Sequence, residues 1–343
     1  MQTAFLFREK LGQFLAGLRR VGTLLAPQRR GKEGHHAFSE VEDPQEVVLD
    51  YTRTLLPLKK YFLPPQDLLF RFSVAEGYQM AAEGLAEKRI VFGVHSCDLR
   101  ALQNLDLVFL GGYPDPYYAA RRENTLLIGV SCTPDELCFC ASVGADSVTE
   151  GYDLFLTELE DGYFVEIGSS AGNDLVQEQK ELFREVTDED VAAFKRRFKA
   201  RHQSFRRHLE TSGLPRIMSL EHASSIWASR GEECLGCGGC SMVCPTCYCF
   251  SVAEVPNLDG QSGVRYRQWD SCLFKDYSVV AGGHNFRPQR GERLRQRIFH
   301  KHKDFPERYG RSGCVGCGRC IAFCPAGLDV TEIIRQLRGE IIA

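Results

Sequence analysis

The sequence contains no apolar run near the roughly 20 residues that a helix needs to cross a bilayer. Its N-terminal apolar stretch is interrupted by Arg8, Glu9 and Lys10, so it also lacks the apolar core of about 7–15 residues that a secretory signal requires. A strong net charge is missing as well, since 42 Lys and Arg stand against 45 Asp and Glu. The net charge of −3 argues against a general nucleic-acid binder. We therefore predict a cytoplasmic protein that binds neither membranes nor nucleic acid.

Common motifs of nucleotide-binding and hydrolytic sites are also missing. The chain contains no G-x-G-x-x-G, no P-loop, no H-E-x-x-H and no G-x-S-x-G sequence. We accordingly predict no catalytic residues. The composition is otherwise that of a globular protein, with 43% hydrophobic and 25% charged residues, and 343 residues are enough for two or three domains.

Cysteine, in contrast, is abundant, with fifteen residues in the chain. Eleven of them lie between Cys234 and Cys324 in a repeated pattern. A reducing cytoplasm does not favour disulfides, and the odd count also argues against a disulfide framework. Metal ligation is therefore the preferred interpretation.

The repeated pattern is C-x2-C-x2-C-x3-C-P, which occurs as CLGCGGCSMVCP at 234–245 and as CVGCGRCIAFCP at 314–325. Each copy is the bacterial ferredoxin signature of a 4Fe–4S cluster, in which the first three thiolates bind one cluster and the fourth binds the other. A zinc site would use four ligands in paired knuckles, not eight thiolates in two such copies. We predict that one cluster is held by Cys234, Cys237, Cys240 and Cys324, and the other by Cys314, Cys317, Cys320 and Cys244.

Four further cysteines fall in a predicted α/β region. Cys97 and Cys132 each follow a short apolar run, 90–94 and 126–130, which we interpret as parallel strands joined through a helix that Asp98 caps. Such strands end at the same edge of the sheet, where open α/β sheets bind ligands. Cys138 and Cys140 lie in the loop after the second strand. The four thiols form a candidate third iron–sulfur site, and buried free cysteines are the alternative.

Three cysteines remain, namely Cys247, Cys249 and Cys272. Cys249 and Cys272 are candidate ligands of a fourth cluster, with a histidine such as His284 or a residue near Cys97 as additional ligand. The role of Cys247 stays open, and redox-inert packing is the alternative for all three. The histidines in polar stretches, which are His35, His36, His300 and His302, are expected on the surface.

Charge is distributed unevenly along the chain. Residues 1–190 contain 18 Lys and Arg against 31 Asp and Glu, whereas residues 191–343 contain 24 against 14. The basic part is also the cysteine-rich part, so its surplus would offset the negative charge of thiolate-ligated clusters. A solvated basic face, or a docking surface for an acidic partner, is the alternative.

The remaining periodicities suggest a multidomain α+β/α/β fold. Helical spacing is present over 4–25, 75–87 and from Thr187 onward, residues 28–36 have loop composition, and alternation around 153–159 and 163–167 predicts a hairpin. We predict four parts: an N-terminal helix and loop region at 1–65, an α/β domain at 66–186, a basic helical linker at 187–230, and a mainly helical double-cluster ferredoxin-like domain at 231–343. The helix of the linker is expected to end near Gly213.

Several longer segments carry a family resemblance. They are LPPQDLLFRF at 63–72, FGVHSCDLRAL at 92–102, DPYY at 115–118, RRENTLLIG at 121–129, CFC at 138–140, EGYDL at 150–154, CPTCYCF at 244–250, WDSC at 269–272 and GGHNFRP at 282–288. The chain resembles the β-type iron–sulfur subunit of cytoplasmic NAD(P)-linked nickel–iron hydrogenases, or sulfhydrogenases. That family also includes the A subunit of anaerobic sulfite reductase.

The resemblance implies an electron-transfer subunit of an anaerobic heteromeric oxidoreductase. It would connect an FAD- and NAD(P)-binding reductase subunit to a catalytic subunit that holds nickel–iron or, alternatively, sirohaem. Two readings from other classes stay open. A reductase acting by itself at a cysteine-held cluster would need no partner, and a flavin or deazaflavin could bind the α/β domain, although no fingerprint supports it.

Overall fold

A computed structural model describes residues 2–31, 35–80, 85 and 87–341. Its strands are β1 Gln2–Phe7, β2 Thr23–Arg30, β3 His35–Glu40, β4 Gln66–Ser73, β5 Gly77–Met80, β6 Arg89–Val94, β7 Thr125–Val130, β8 Leu154–Glu158, β9 Gly162–Ile167, β10 Phe183–Arg184, β11 Phe250–Pro256 and β12 Ser262–Trp269. Its α-helices are α1 Leu11–Val21, α2 Ser96–Phe109, α3 Pro116–Glu123, α4 Ser170–Glu178, α5 Asp188–Gln203, α6 Leu214–Leu220, α7 Ile226–Glu233, α8 Gly239–Met242, α9 Arg290–Phe299, α10 Phe305–Tyr309, α11 Arg319–Ala322 and α12 Val330–Leu337. The protein is thus a mixed α/β structure.

The chain divides into two compact units, each formed by two segments. The first unit comprises Met1–Leu55 and Gly84–His208, and the second comprises Leu56–Glu83 and Leu209–Ala343. The four-part division inferred from the sequence is finer than this and stays a prediction. No helix in the described part of the chain is both long and apolar enough to cross a membrane.

The first unit is built on an eight-stranded sheet in the order β10-β1-β9-β8-β7-β6-β2-β3. Its central strands β2, β6, β7 and β8 are parallel, and the flanking pairs are antiparallel. The inner parallel strands β6 and β7 are nearly continuous apolar runs, as expected for strands covered on both faces. The predicted strands at 90–94 and 126–130 and the predicted hairpin are confirmed, the latter with Leu154 opposite Ile167.

The second unit contains a four-stranded antiparallel sheet in the order β11-β12-β4-β5. β4 and β5 belong to Leu56–Glu83, so this segment forms half of that sheet. The dicluster cysteines lie outside the sheet, around the short helices α8 and α11.

Three predictions for the first unit and the start of the second are wrong. The N-terminal helix is confined to Leu11–Val21, because the apolar residues before and after it are buried as strands β1 and β2 of the sheet. The expected loop at 28–36 contains the end of β2 and the start of β3. In the expected helix at 75–87, Gly77–Met80 is an edge strand paired with β4, while residues 81–84 and 86 lie outside the described residues.

Two predicted helix starts have different outcomes. α5 begins with the expected capping box, in which Thr187 and Asp190 bond each other's backbone N–H groups. α2 begins at Ser96, so its N-cap is His95 and Asp98 lies within the first turn. Asp98 is therefore not the predicted cap, although a carboxylate in this position still complements the positive helix N-terminus.

Candidate iron–sulfur sites

The two cysteine runs fold into the same local structure. In each run, two glycines adopt the left-handed conformation that side chains disfavour, Gly236 and Gly238 in the first (φ 64° and 72°) and Gly316 and Gly318 in the second (φ 62° and 73°). The second glycine of each pair immediately precedes a short helix that carries the third cysteine, α8 or α11. The loops therefore turn tightly enough to direct three thiols toward one point.

Backbone amides in these loops point at sulfur atoms. The Gly236 N–H donates to Cys234 Sγ at 3.4 Å, and the Gly316 N–H donates to Cys314 Sγ at the same distance. Hydrogen bonds to ligand sulfurs stabilise their negative charge and tune the reduction potential of a cluster. The match between the two runs indicates that both loops are built for the same kind of ligand.

The thiols of the first predicted ligand set line one cavity. Cys234, Cys237, Cys240 and Cys324 all face it. Burial raises the pKa of Cys240, and the nearby thiols of Cys234, Cys244 and Cys324 raise it further. The structure thus brings Cys324, from the second run, beside the cysteines of the first.

The second ligand set shows the reciprocal arrangement. Burial raises the pKa of Cys320, and the thiols of Cys314, Cys244 and Cys317 add to this effect. Burial and the nearby Cys244 and Cys317 likewise raise the pKa of Cys314, to about 12. Cys244, from the first run, thus lies beside the cysteines of the second. Soft thiolate donors at this spacing fit iron–sulfur clusters.

Buried cations surround Cys244. A hydrogen bond from Cys247 holds the pKa of the Cys244 thiol well below its usual value, and the charges of Lys301, Arg297 and Lys59 act in the same direction. Arg297 also lies near Cys240 and Cys320 and donates to the Cys240 carbonyl at 3.1 Å. The sequence analysis missed these cations, since no spacing relates Lys59, which lies 185 residues before Cys244, to the cysteine run.

In the first unit, three of the four predicted thiols lie together. Burial raises the pKa of Cys140, and the nearby Cys132 and Cys138 raise it further. Two guanidinium groups contact these sulfurs, since Arg201 Nη2 donates to Cys132 Sγ at 3.4 Å and Arg53 Nη2 donates to Cys138 Sγ at 3.7 Å. The sequence analysis did not identify either arginine.

Cys97, the fourth member, is buried in the first turn of α2. Val94 of β6 pairs with Gly129 of β7, so Cys97 and Cys132 each follow a paired residue by three positions at the carboxyl edge of the sheet. Among all described residues, no group of three or more His, Cys, Asp or Glu side chains is placed to hold a single metal ion.

The histidine predictions need correction. His302 is 3% exposed, and His300 lines a cavity with Cys247, Cys249 and Cys272, so neither is a surface residue. Both lie in a π-helical turn, His300–Asp304, which rotates side chains of a polar stretch inward. Burial lowers the pKa of His300 to about 4, so its ring is neutral at pH 7. His284, the suggested additional ligand, is exposed and packs against Phe286.

Comparisons with known proteins agree with this geometry. A family profile described as "4Fe-4S dicluster domain" matches residues 233–328, which include both cysteine runs. The chain is 41% identical over 342 residues to sulfhydrogenase 2 subunit beta of Pyrococcus furiosus, and the alignment covers the whole of both chains. No solved structure matches the chain. The resemblance inferred from the sequence is confirmed: the chain carries a 4Fe–4S dicluster domain and belongs to the family of sulfhydrogenase β subunits.

Proposed function

We propose that this chain is the iron–sulfur electron-transfer subunit of a hydrogenase-type complex. It relays electrons between an FAD- and NAD(P)-binding reductase subunit and a nickel–iron catalytic subunit. The observation that carries the proposal is that Cys324 lines one cavity with the cysteines of the first run, while Cys244 lies near Cys314 and Cys320 of the second. Ligand exchange of this kind brings two clusters close together, which is what a relay requires.

In the relay, the protein would hold the clusters, orient them and tune their reduction potentials. When bound, 4Fe–4S clusters take up and release single electrons. Cys234, Cys237, Cys240 and Cys324 would hold one cluster, and Cys314, Cys317, Cys320 and Cys244 the other. Arg297, 7% exposed and near Cys240 and Cys320, would stabilise additional negative charge at both sites.

A third cluster belongs to the same proposal, held by Cys97, Cys132, Cys138 and Cys140 in the first unit. The support is the proximity of three of these thiols and the two guanidinium groups at their sulfurs. We expect a Cys132→Ser/Cys138→Ser variant to lose about four iron atoms per chain, the content of one 4Fe–4S cluster. The measurement is iron and acid-labile sulfide after anaerobic purification, and an unchanged iron content in folded variant would refute this site.

The proposal also includes the predicted division of the chain into domains. The chain is then an N-terminal α/β domain with a mainly helical ferredoxin-like double-cluster domain at 231–343, acting in the cytoplasm of an anaerobically metabolising cell. No residue of the chain is assigned a catalytic role, because the substrate chemistry takes place in the partners.

The experiment that tests the function is anaerobic affinity purification through a tag on this chain, with mass spectrometry of the co-purifying proteins. We expect a nickel–iron large subunit and a flavin-containing reductase subunit. A sirohaem protein in place of the nickel–iron subunit would assign the chain to sulfite reduction. Recovery of the chain alone with iron bound would contradict the relay.

A further inference from the structure

The second unit contains a group of thiols that the two dicluster ligand sets do not use. Cys247 and Cys249 follow the first cysteine run and lead into β11, while Cys272 follows β12. Phe250 of β11 pairs with Trp269 of β12, and the Asp270 N–H donates to the Cys249 carbonyl at 2.9 Å, so the strand pairing brings the three cysteines together. The thiols line one cavity of about 290 Å³.

Two lysines beside this cavity are buried without a carboxylate. Lys59 is 3% exposed and donates to the carbonyls of Ser241 at 3.2 Å and Cys247 at 2.8 Å. Lys301 is 4% exposed and donates to the Thr246 carbonyl at 2.6 Å and hydroxyl at 2.9 Å. Within the described ranges, neither ammonium group forms an ion pair.

Burial of an ammonium group without a counter-charge is costly, and proteins normally compensate it with a nearby anion. Hydrogen bonds to neutral oxygens satisfy the donors of Lys59 and Lys301 but supply no negative charge. For both lysines, the thiol with the largest attractive influence is that of Cys247. Cys244, a predicted dicluster ligand, lies near the same two ammonium groups, so the buried charges point to an anionic group beside Cys244 and Cys247.

A fourth donor faces the same cavity. His300 lines it, and in the part of the chain that the structure describes its imidazole makes no hydrogen bond. Its contacts are ring contacts with Tyr248 and Phe305. Imidazole and thiol groups are common metal ligands, so an imidazole without a hydrogen-bond partner beside three thiols is suited to bind a metal centre.

The arrangement of these groups does not match a site for a single ion. Three thiols and one imidazole are also a ligand set that zinc uses. However, the described His, Cys, Asp and Glu side chains include no group of three close enough for one metal ion. Cys249 and Cys272 are hydrogen-bonded to each other, and all four donors line the cavity of about 290 Å³.

We propose that Cys247, Cys249, Cys272 and His300 hold a further 4Fe–4S cluster, and that Lys59 and Lys301 offset its negative charge. The cluster gains one electron on reduction and loses the same electron on oxidation, and no bond to a substrate forms or breaks. Histidine in place of a thiolate raises the potential of an iron–sulfur centre. This cluster is therefore expected to be reduced before the all-thiolate clusters of the same unit.

The first test is the metal content of the full chain, purified anaerobically. A Cys249→Ser/Cys272→Ser variant should lose about four iron and about four sulfide per chain, the content of one 4Fe–4S cluster. Tyr248→Phe alters a wall of the same cavity without removing a thiol and should keep the wild-type content. Unchanged iron in the double variant, or one zinc per chain in place of the four iron atoms, would overturn the site. This outcome is independent of whether partner subunits co-purify.

The second test uses spectroscopy and does not depend on loss of the cluster. Pulsed electron paramagnetic resonance (EPR) of the reduced wild type should show strong coupling to a ligand nitrogen, and His300→Cys should abolish that coupling, keep the iron and lower the midpoint potential. Lys59→Met should also lower that potential, and Lys59→Arg should restore it. Absence of nitrogen coupling in wild type excludes His300 as ligand. A Lys59→Met shift confined to the two dicluster signals excludes the counter-charge role.

Discussion

Replacement of Cys317 by alanine is expected to abolish electron transfer between the reductase and catalytic partners of this chain. Cys317 belongs to the set in which Cys314, Cys320 and Cys244 lie together. Loss of one thiolate from a four-thiolate site is expected to remove or open its cluster, and the proposed relay would then lack one of its centres. Cys237→Ala should have the same effect through the other set, which shares a cavity with Cys240 and Cys324.

The measurement compares the full reaction with the two half-reactions. Hydrogen-dependent reduction of nicotinamide by the purified complex should fall to background, while each partner should still react with an artificial dye. Ser219→Ala, an exposed position on α6, is a matched control that should behave as wild type. Loss of both half-reactions in the Cys317→Ala complex would mean that the chain has a structural role and would contradict the relay.

Replacement of Asp67 by alanine is expected to cause the largest loss of stability among the substitutions considered. Asp67 on β4 is directly opposite Arg267 on β12, and the guanidinium donates to one carboxylate oxygen at 2.8 and 3.0 Å. The side chains are only 3% and 6% exposed. Removal of one partner leaves a buried charge uncompensated, which costs about 3–5 kcal/mol.

This loss should lower the apparent melting temperature of the anaerobically prepared chain by about 10 °C. Calorimetry or circular dichroism at a fixed scan rate measures it. The control is Glu254→Ala, which removes an ion pair between Glu254 on β11 and Arg265 on β12 of the same sheet. Both of these side chains are at least 40% exposed. Exposed pairs contribute little, so this change should stay within about 1 kcal/mol. Equal effects of both substitutions would show that burial of the Asp67 pair is unimportant.

The dicluster ligands could be predicted from the sequence because their geometry is local. Three cysteines within seven residues, separated by glycines, can face one point only through a tight turn, and Gly238 and Gly318 adopt the left-handed conformation that this turn needs. β6 and β7 could be predicted equally well from their apolar runs, since strands buried on both faces need continuous apolar residues.

What could not be predicted depends on long-range packing. The helical spacing after residue 4 is real only within α1, because pairing with β9 and β6 draws the flanking residues into the sheet as β1 and β2. His300 and Lys301 occur in a polar stretch that resembles a surface segment, yet the π-helical turn directs them inward. Lys59 contacts the Cys247 carbonyl across 188 residues of sequence, a relation that no local pattern contains.

The central claim is that the clusters of this chain carry electrons between two partner subunits. The most direct test is EPR of the intact complex, frozen after anaerobic addition of either reduced nicotinamide or hydrogen. The account predicts that the cluster signals of this chain appear with each donor alone, and that Cys317→Ala prevents one donor from reducing clusters on the far side of the break. Signals that appear only with dithionite, and with neither natural donor, would contradict it.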